Sequence, residues 1–176
     1  MTSIDFTKMH GTGNDYVYVD CTKNEIEDGT ELSKFVSDRH FGVGSDGLIL
    51  IKKSDVADFK MDMYNADGSK GEMCGNGIRC VGKYVYDNGL TDKTTVTIET
   101  LAGIKTIELY LKDGKVDSVL VNMGSPELKA SQIPVIFPKE QMINEPMEVD
   151  GSIFRVTCVS MGNPHCVIFT DEDTRT

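Results

Sequence analysis

Apolar and polar side chains alternate with a period of two along most of the chain, which predicts strands rather than helices. Residues 16–21, Tyr-Val-Tyr-Val-Asp-Cys, read as one strand. Phe59, Met61 and Met63 alternate with Lys60, Asp62 and Tyr64 in a second, half-buried one. Residues 95–100 alternate clearly. Residues 104–111 and 116–121 flank Asp113-Gly114, the strongest hairpin signal in the sequence. Residues 153–159 and 166–169 add two more strands, and the short spacings suit antiparallel connections. Helical spacing occurs twice. Residues 30–39 open on a cap at Thr30 or Gly29 and put Leu32, Phe35 and Val36 on one predicted face. Residues 76–88 place Ile78, Val81 and Val85 at i, i+3 and i+7, with Cys80 and Tyr84 widening the stripe and Gly89 ending it.

Four of the five prolines lie within residues 122–146, which reads as a connection between two lobes. The expected division is a first lobe over 1–121, then a linker and the incomplete start of a second lobe over 122–176. About 30 patterned residues in the latter are too few for an independent core, so a partner or further chain is expected to complete it.

Composition narrows the function classes. Acidic residues number 28 against 18 basic ones, a net charge of −10. Such a surface repels phosphate backbones and anionic lipid heads, so neither nucleic acid nor membrane is an expected partner. The longest aliphatic run is Leu48-Ile49-Leu50-Ile51, far short of a membrane span, and residues 1–5 carry no basic-then-apolar leader. The expected compartment is the cytoplasm. The cysteines are Cys21, Cys74, Cys80, Cys158 and Cys166, an odd number without a Cys-x2-Cys pair. A disulfide framework and a bound metal are therefore not expected, and most of them read as small buried hydrophobes.

Cys74 is different. Gly71-Glu72-Met73-Cys74-Gly75-Asn76-Gly77 delivers it to the start of the second helix. Unpaired N–H groups and the positive end of the helix dipole favour a thiolate there. The flanking glycines let a ligand approach the same amides, which can hold a carboxylate or phosphate. The alternative is a tight turn in which Cys74 merely packs. Asn-rich loops at residues 9–15, 64–69 and 160–166 supply uncharged donors and acceptors suited to a zwitterionic amino acid, or serve only as turns.

Taken together, the loops carry a family pattern. Met9-His10-Gly11-x-Gly13-Asn14-Asp15, Arg39-His40-x-Gly42-x-Gly44-x-Asp46-Gly47, Asn65-Ala66-Asp67-Gly68-Ser69, Met73-Cys74-Gly75-Asn76-Gly77-x-Arg79-Cys80 and Ser160-Met161-Gly162-Asn163-Pro164-His165-Cys166 occur in this order. The chain resembles the N-terminal part of diaminopimelate epimerases, which interconvert LL- and meso-diaminopimelate without pyridoxal phosphate. The Cys-Gly-Asn-Gly form is closer to these enzymes than to proline racemases, which carry His in place of Asn76.

The resemblance implies an α+β fold, an antiparallel barrel-like sheet around a central helix, in two pseudo-symmetric lobes with substrate between them. It implies no cofactor and a small amino-acid substrate in lysine and peptidoglycan-precursor synthesis, and it leaves room for a homodimer. One cysteine removes the α-proton as thiolate and a second returns one as thiol from the opposite face. Cys74 matches the first. Asn14, Asn65, Gly75, Asn76 and Asn163 match substrate-contacting positions, and His165 matches a histidine that tunes the cysteines. Gly47 stands where some members carry a substrate-contacting Gln. The second cysteine's Cys-Gly-Ser/Thr-Gly loop has no counterpart here, so the chain alone is expected to be a truncated, inactive fragment. Cys80 is expected to face away from the cleft. Two other readings stay open: a related racemase, for instance one acting on histidine, and a non-catalytic carboxylate- or phosphate-binding module.

Overall fold

The computed structural model describes residues 3–171, and these divide at Asn122/Met123 into two compact units. The first contains β1 (Thr7–Gly11), β2 (Asn14–Asp20), α1 (Thr30–Ser37), β3 (Gly47–Lys52), β4 (Phe59–Asn65), β5 (Lys70–Gly71), α2 (Gly75–Asp87), β6 (Thr95–Thr100), β7 (Gly103–Lys112) and β8 (Lys115–Val121). Its sheet runs β1-β2-β3-β4-β6-β7-β8, with β5 beside β4. Helix α2 packs on β1 and β2 at one end of that order and on β7 and β8 at the other, so the sheet curls around it as a half-barrel. The unit is α+β, a barrel-like sheet about a central helix.

Two pairings are parallel, β2 with β3 and β4 with β6; the others are antiparallel. Each parallel pair is joined by a crossover, through α1 in one case and α2 in the other. Short spacing between most of the strand runs suits antiparallel neighbours, whereas a crossover of a dozen residues or more permits a parallel one.

Strands β2 and β3 are covered on both faces. Tyr16, Tyr18, Ile49 and Ile51 join the core beneath α2, while Val17, Val19, Leu48 and Leu50 join the core beneath α1. That double burial accounts for the uninterrupted run Leu48 to Ile51. On α2 the predicted stripe is buried as expected: Ile78, Val81 and Val85 have no exposed surface. Two-residue turns at Thr12-Gly13 and Asp113-Gly114, all four residues at positive φ, close the β1–β2 and β7–β8 hairpins.

Helix α1 departs from its predicted face. Phe35 is 68% exposed, whereas Ser33 and Ser37 are buried, with Leu32 and Val36 half-buried beside them. At 100° per residue Phe35 lies far from the arc shared by positions 32, 33, 36 and 37. Small serines let the helix sit close to β4, where the Ser33 hydroxyl donates to the Asn65 carbonyl at 2.8 Å.

The second unit holds β9 (Glu145–Val149), β10 (Ser152–Ser160) and β11 (Pro164–Ile168), ordered β11-β10-β9. Strand β9 overlaps the proline-rich stretch read as a connection. Pro146 is tolerated because β9 is an edge strand. The core is small, built on Met142, Val156 and Cys158 with Val135, Phe137, Met147 and Phe154 against them. Among the described residues, no helix is long and apolar enough to cross a membrane.

Candidate active site

The sequence places glycines where the approach to α2 is tightest. Cys74 has extended backbone (φ −132°, ψ 113°) and caps the helix. The Gly77 amide donates to its Sγ at 3.2 Å, and the Ile78 amide donates to its carbonyl at 2.9 Å. A Cβ on Gly77 would lie 2.7 Å from Ile49 Cδ1, so glycine is what lets this turn rest on the sheet.

A second element reaches the same sulfur. The β1–β2 turn ends at Asn14, whose side-chain amide donates to Cys74 Sγ at 3.4 Å. The turn also touches the helix start: Gly11 packs on Asn76, and the Thr12 hydroxyl donates to Asn76 Oδ1 at 3.2 Å. Arg79 bonds the Gly75 carbonyl at 2.9 Å and Asn76 Oδ1, bringing a cation to the helix start and fixing the Asn76 side chain. Cys74 is half-buried, so its sulfur is both held and reachable.

Tyr16 lies beneath this cluster, in edge-to-face contact with Tyr18 at 6.5 Å between ring centres. Burial first, then the neighbouring Cys74 sulfur, push its hydroxyl up to about 12. Tyr16, Gly47 and Asn65 sit in one row across β2, β3 and β4. A Cβ at Gly47 would stand 2.8 Å from the Tyr16 ring and collide with the Tyr64 carbonyl, so this backbone has no room for a longer side chain there. Asn65 itself donates to Ser69 Oγ at 2.9 Å.

Charged residues brace the turn from outside. Asp15 pairs with Arg39 at 2.8 Å and with Lys8 at 3.0 Å, and Arg39 also pairs with Asp46 at 2.8 Å. The Asp15 amide donates to the Asp46 carboxylate at 3.1 Å. Hydrogen bonding from Arg39, helped by Lys8, holds the Asp15 carboxyl well below the usual carboxylate range. A hollow of about 480 Å³ on this side is lined by Lys8, Met9, His10, Gly13, Asp15 and Arg39; Cys74 is not among its lining residues.

A sulfur held at a helix start by a glycine-lined turn and an Asn-bearing hairpin can be compared with known proteins. The family model described as diaminopimelate epimerase matches residues 6–129. The chain belongs to the diaminopimelate epimerase family. It is 60% identical over 166 residues to the diaminopimelate epimerase of Methanococcus maripaludis, covering 94% of this chain and 60% of that protein. It is 60% identical over 164 residues to that of Acetivibrio thermocellus, covering 93% and 59%. The chain thus spans about three-fifths of the length of these curated relatives. Solved structures share the fold at lower identity. A Bacillus anthracis phenazine biosynthesis protein of the PhzF family superposes with a TM-score of 0.65 at 20% identity, over 96% of this chain and 56% of that one. A hydroxyproline epimerase from Agrobacterium vitis gives 0.65 at 15%, over 93% and 50%.

Within this family framework the structure gathers Cys74, Asn14, Gly75 and Asn76 into one cluster, with Asn65 two strands from Tyr16. The other two named residues lie in the second unit, Asn163 at the end of the β10–β11 connection and His165 in β11. His165 Nε2 stands 3.1 Å from Asn163 Oδ1, and both side chains are exposed. Cys80 is buried near the Tyr18 hydroxyl, and burial pushes its thiol up. Sequence reasoning missed Tyr16 and the Lys8–Asp15–Arg39–Asp46 group as supports of the site. The strand pattern hid Tyr16 among core residues; Asp15, Arg39 and Asp46 stand in the family pattern, but only folding brings them together with Lys8.

Proposed function

We propose that this chain is the Cys74-bearing part of a diaminopimelate epimerase, an isomerase that inverts the α-carbon without pyridoxal phosphate. The supporting observation is a half-exposed sulfur at the N-terminus of α2 that accepts from both the Gly77 amide and the Asn14 side chain. Both donors stabilise negative charge on sulfur, as a base that removes an α-proton requires. The first turn of a helix leaves N–H groups without intrahelical partners, and with Gly77 turned to the sulfur, those of Gly75 and Asn76 would receive a substrate carboxylate. In this reading Asn14, Asn65 and Asn76 orient the amino acid. By the family pattern, Asn163 matches a further substrate-contacting position and His165 a histidine that tunes the cysteines. The first unit corresponds to one lobe and the second to the opening part of another, acting in the cytoplasm.

Inversion needs a proton donor opposite the base. Among the described residues Cys74 alone is a thiol at a helix start, so this chain by itself is expected not to epimerise. The test is incubation with LL-diaminopimelate in deuterated water, followed by proton NMR and chiral separation. Slow α-deuteration with retained configuration, abolished by Cys74→Ala, is the expected result. Appreciable meso product from the purified chain, or exchange unaffected by Cys74→Ala, would overturn the assignment.

A further inference from the structure

Outside the Cys74 cluster, two other thiols are brought face to face. Cys158 on β10 and Cys166 on β11 are direct register partners in an antiparallel pair. Directly opposed residues of such a pair project from the same face of the sheet. The hydrogen-bond pattern defines which kind of pair this is. The Cys158 amide donates away from β11, to the Met142 carbonyl at 2.9 Å, and the Ser160 amide likewise donates to Glu127 at 2.9 Å. Pro164, opposite Ser160, has no amide hydrogen to give. Cys158–Cys166 is therefore a non-hydrogen-bonded pair, the closer of the two types, with Cα atoms about 4.5 Å apart. That spacing falls at the near edge of the roughly 4.4–6.8 Å window in which two cysteines can be bridged.

We infer that Cys158 and Cys166 are the two halves of a reversible cross-strand disulfide, formed when the protein meets a hydroperoxide. The two thiols differ in a useful way. Cys166 is exposed and meets the oxidant, whereas Cys158 is buried against the Met142 thioether, 3.6 Å away. Burial, and then the neighbouring Cys166, push the Cys158 thiol up, so it is protected from direct attack and left to resolve the oxidised partner.

The chemistry balances in two steps. The Cys166 sulfur takes one oxygen from hydrogen peroxide as the O–O bond breaks, giving a sulfenic acid and one water. The Cys158 sulfur then displaces that oxygen as a second water, and the S–S bond forms. Two thiols lose two electrons in all, and the peroxide is reduced. A bridge that includes exposed Cys166 is open to reductants, so it behaves as a switch rather than a permanent staple. It would tie β10 to β11 one register pair from Val159–His165, tightening the connection that carries Asn163.

Trypsin leaves both residues in one peptide, from Val156 to Arg175. The folded chain is treated with one equivalent of hydrogen peroxide, blocked with iodoacetamide, digested and weighed. The expected product is this peptide without alkyl groups and two hydrogens lighter, returning to the doubly alkylated form after dithiothreitol. Cys166→Ser should abolish it, and Cys158→Ser should leave Cys166 as a sulfenic acid that dimedone captures. Closure should also be several-fold faster in the folded chain than in urea. Double alkylation after peroxide, over-oxidation of Cys166 with Cys158 still free, or equal closure rates with and without urea would overturn the inference.

Discussion

A sulfur at a helix start gains from every donor aimed at it, and the two that reach Cys74 come from distant parts of the sequence. Gly77 is local to the turn, whereas Asn14 arrives on the β1–β2 hairpin. Asn14→Ala removes the second donor and leaves the first. One hydrogen bond to a charged group is worth about 1.5–3 kcal/mol, so alkylation of Cys74 at neutral pH should slow by roughly tenfold or more while Cys166 is unaffected. An equal change at both cysteines would mean that the variant had loosened the whole fold. Asp15 lends itself to a pH experiment. Its carboxyl is lowered from 3.8 in the folded chain, chiefly by Arg39, so its ionised form stabilises folding above that value and the contribution drains away as pH falls below it. Arg39 is more than half exposed, and solvent screening keeps the contribution modest. Urea midpoints of Asp15→Asn should sit below wild type at pH 7 and converge with it towards pH 2. A constant gap across that range would contradict the ion-pair explanation.

Helix α2 is positioned by what its residues lack as much as by what they bury. Adding a methyl at Gly77 pushes it to 2.7 Å from Ile49 Cδ1 in a fully buried layer. Such overpacking costs about 1–3 kcal/mol, and Gly77→Ala should lower the urea midpoint accordingly. Shortening the neighbour in Gly77→Ala/Ile49→Val should recover part of that loss; no recovery would place the strain elsewhere. The elements whose pattern repeats strongly, β4, β6, β7, β8 and α2, were legible in the sequence because one face of each meets a core. Strand β9 was not, since it is an edge strand with a proline in it and little burial to mark a period. On α1 the missing information was the partner surface. Ser33 meets the β4 carbonyl of Asn65 and Ser37 meets the Ser45 hydroxyl, so the close approach rewards small hydroxyls, which an apolar-face rule does not anticipate. Cys74, Asn14 and Asn76 were legible through spacing and family likeness. Tyr16 was not, because its role depends on the absence of a side chain at Gly47 across the sheet.

The two units have cores of very different size. Sixteen buried residues gather around α2 in the first, whereas the second rests on Met142, Val156 and Cys158. Smaller cores bury a smaller share of their chain and open first. In graded urea Cys158 should therefore become reactive to thiol reagents at lower concentration than Cys80; simultaneous exposure would mean that the units unfold as one. Reactivity across all five thiols also tests the reading of the site most directly. The measurement is the alkylation rate of each cysteine in the folded chain between pH 6 and 9, resolved by peptide mass spectrometry. At pH 7 half-buried Cys74 should outpace exposed Cys166, with Cys21, Cys80 and Cys158 far slower. Cys166 reacting faster than Cys74 would contradict the assignment of Cys74 as the activated base.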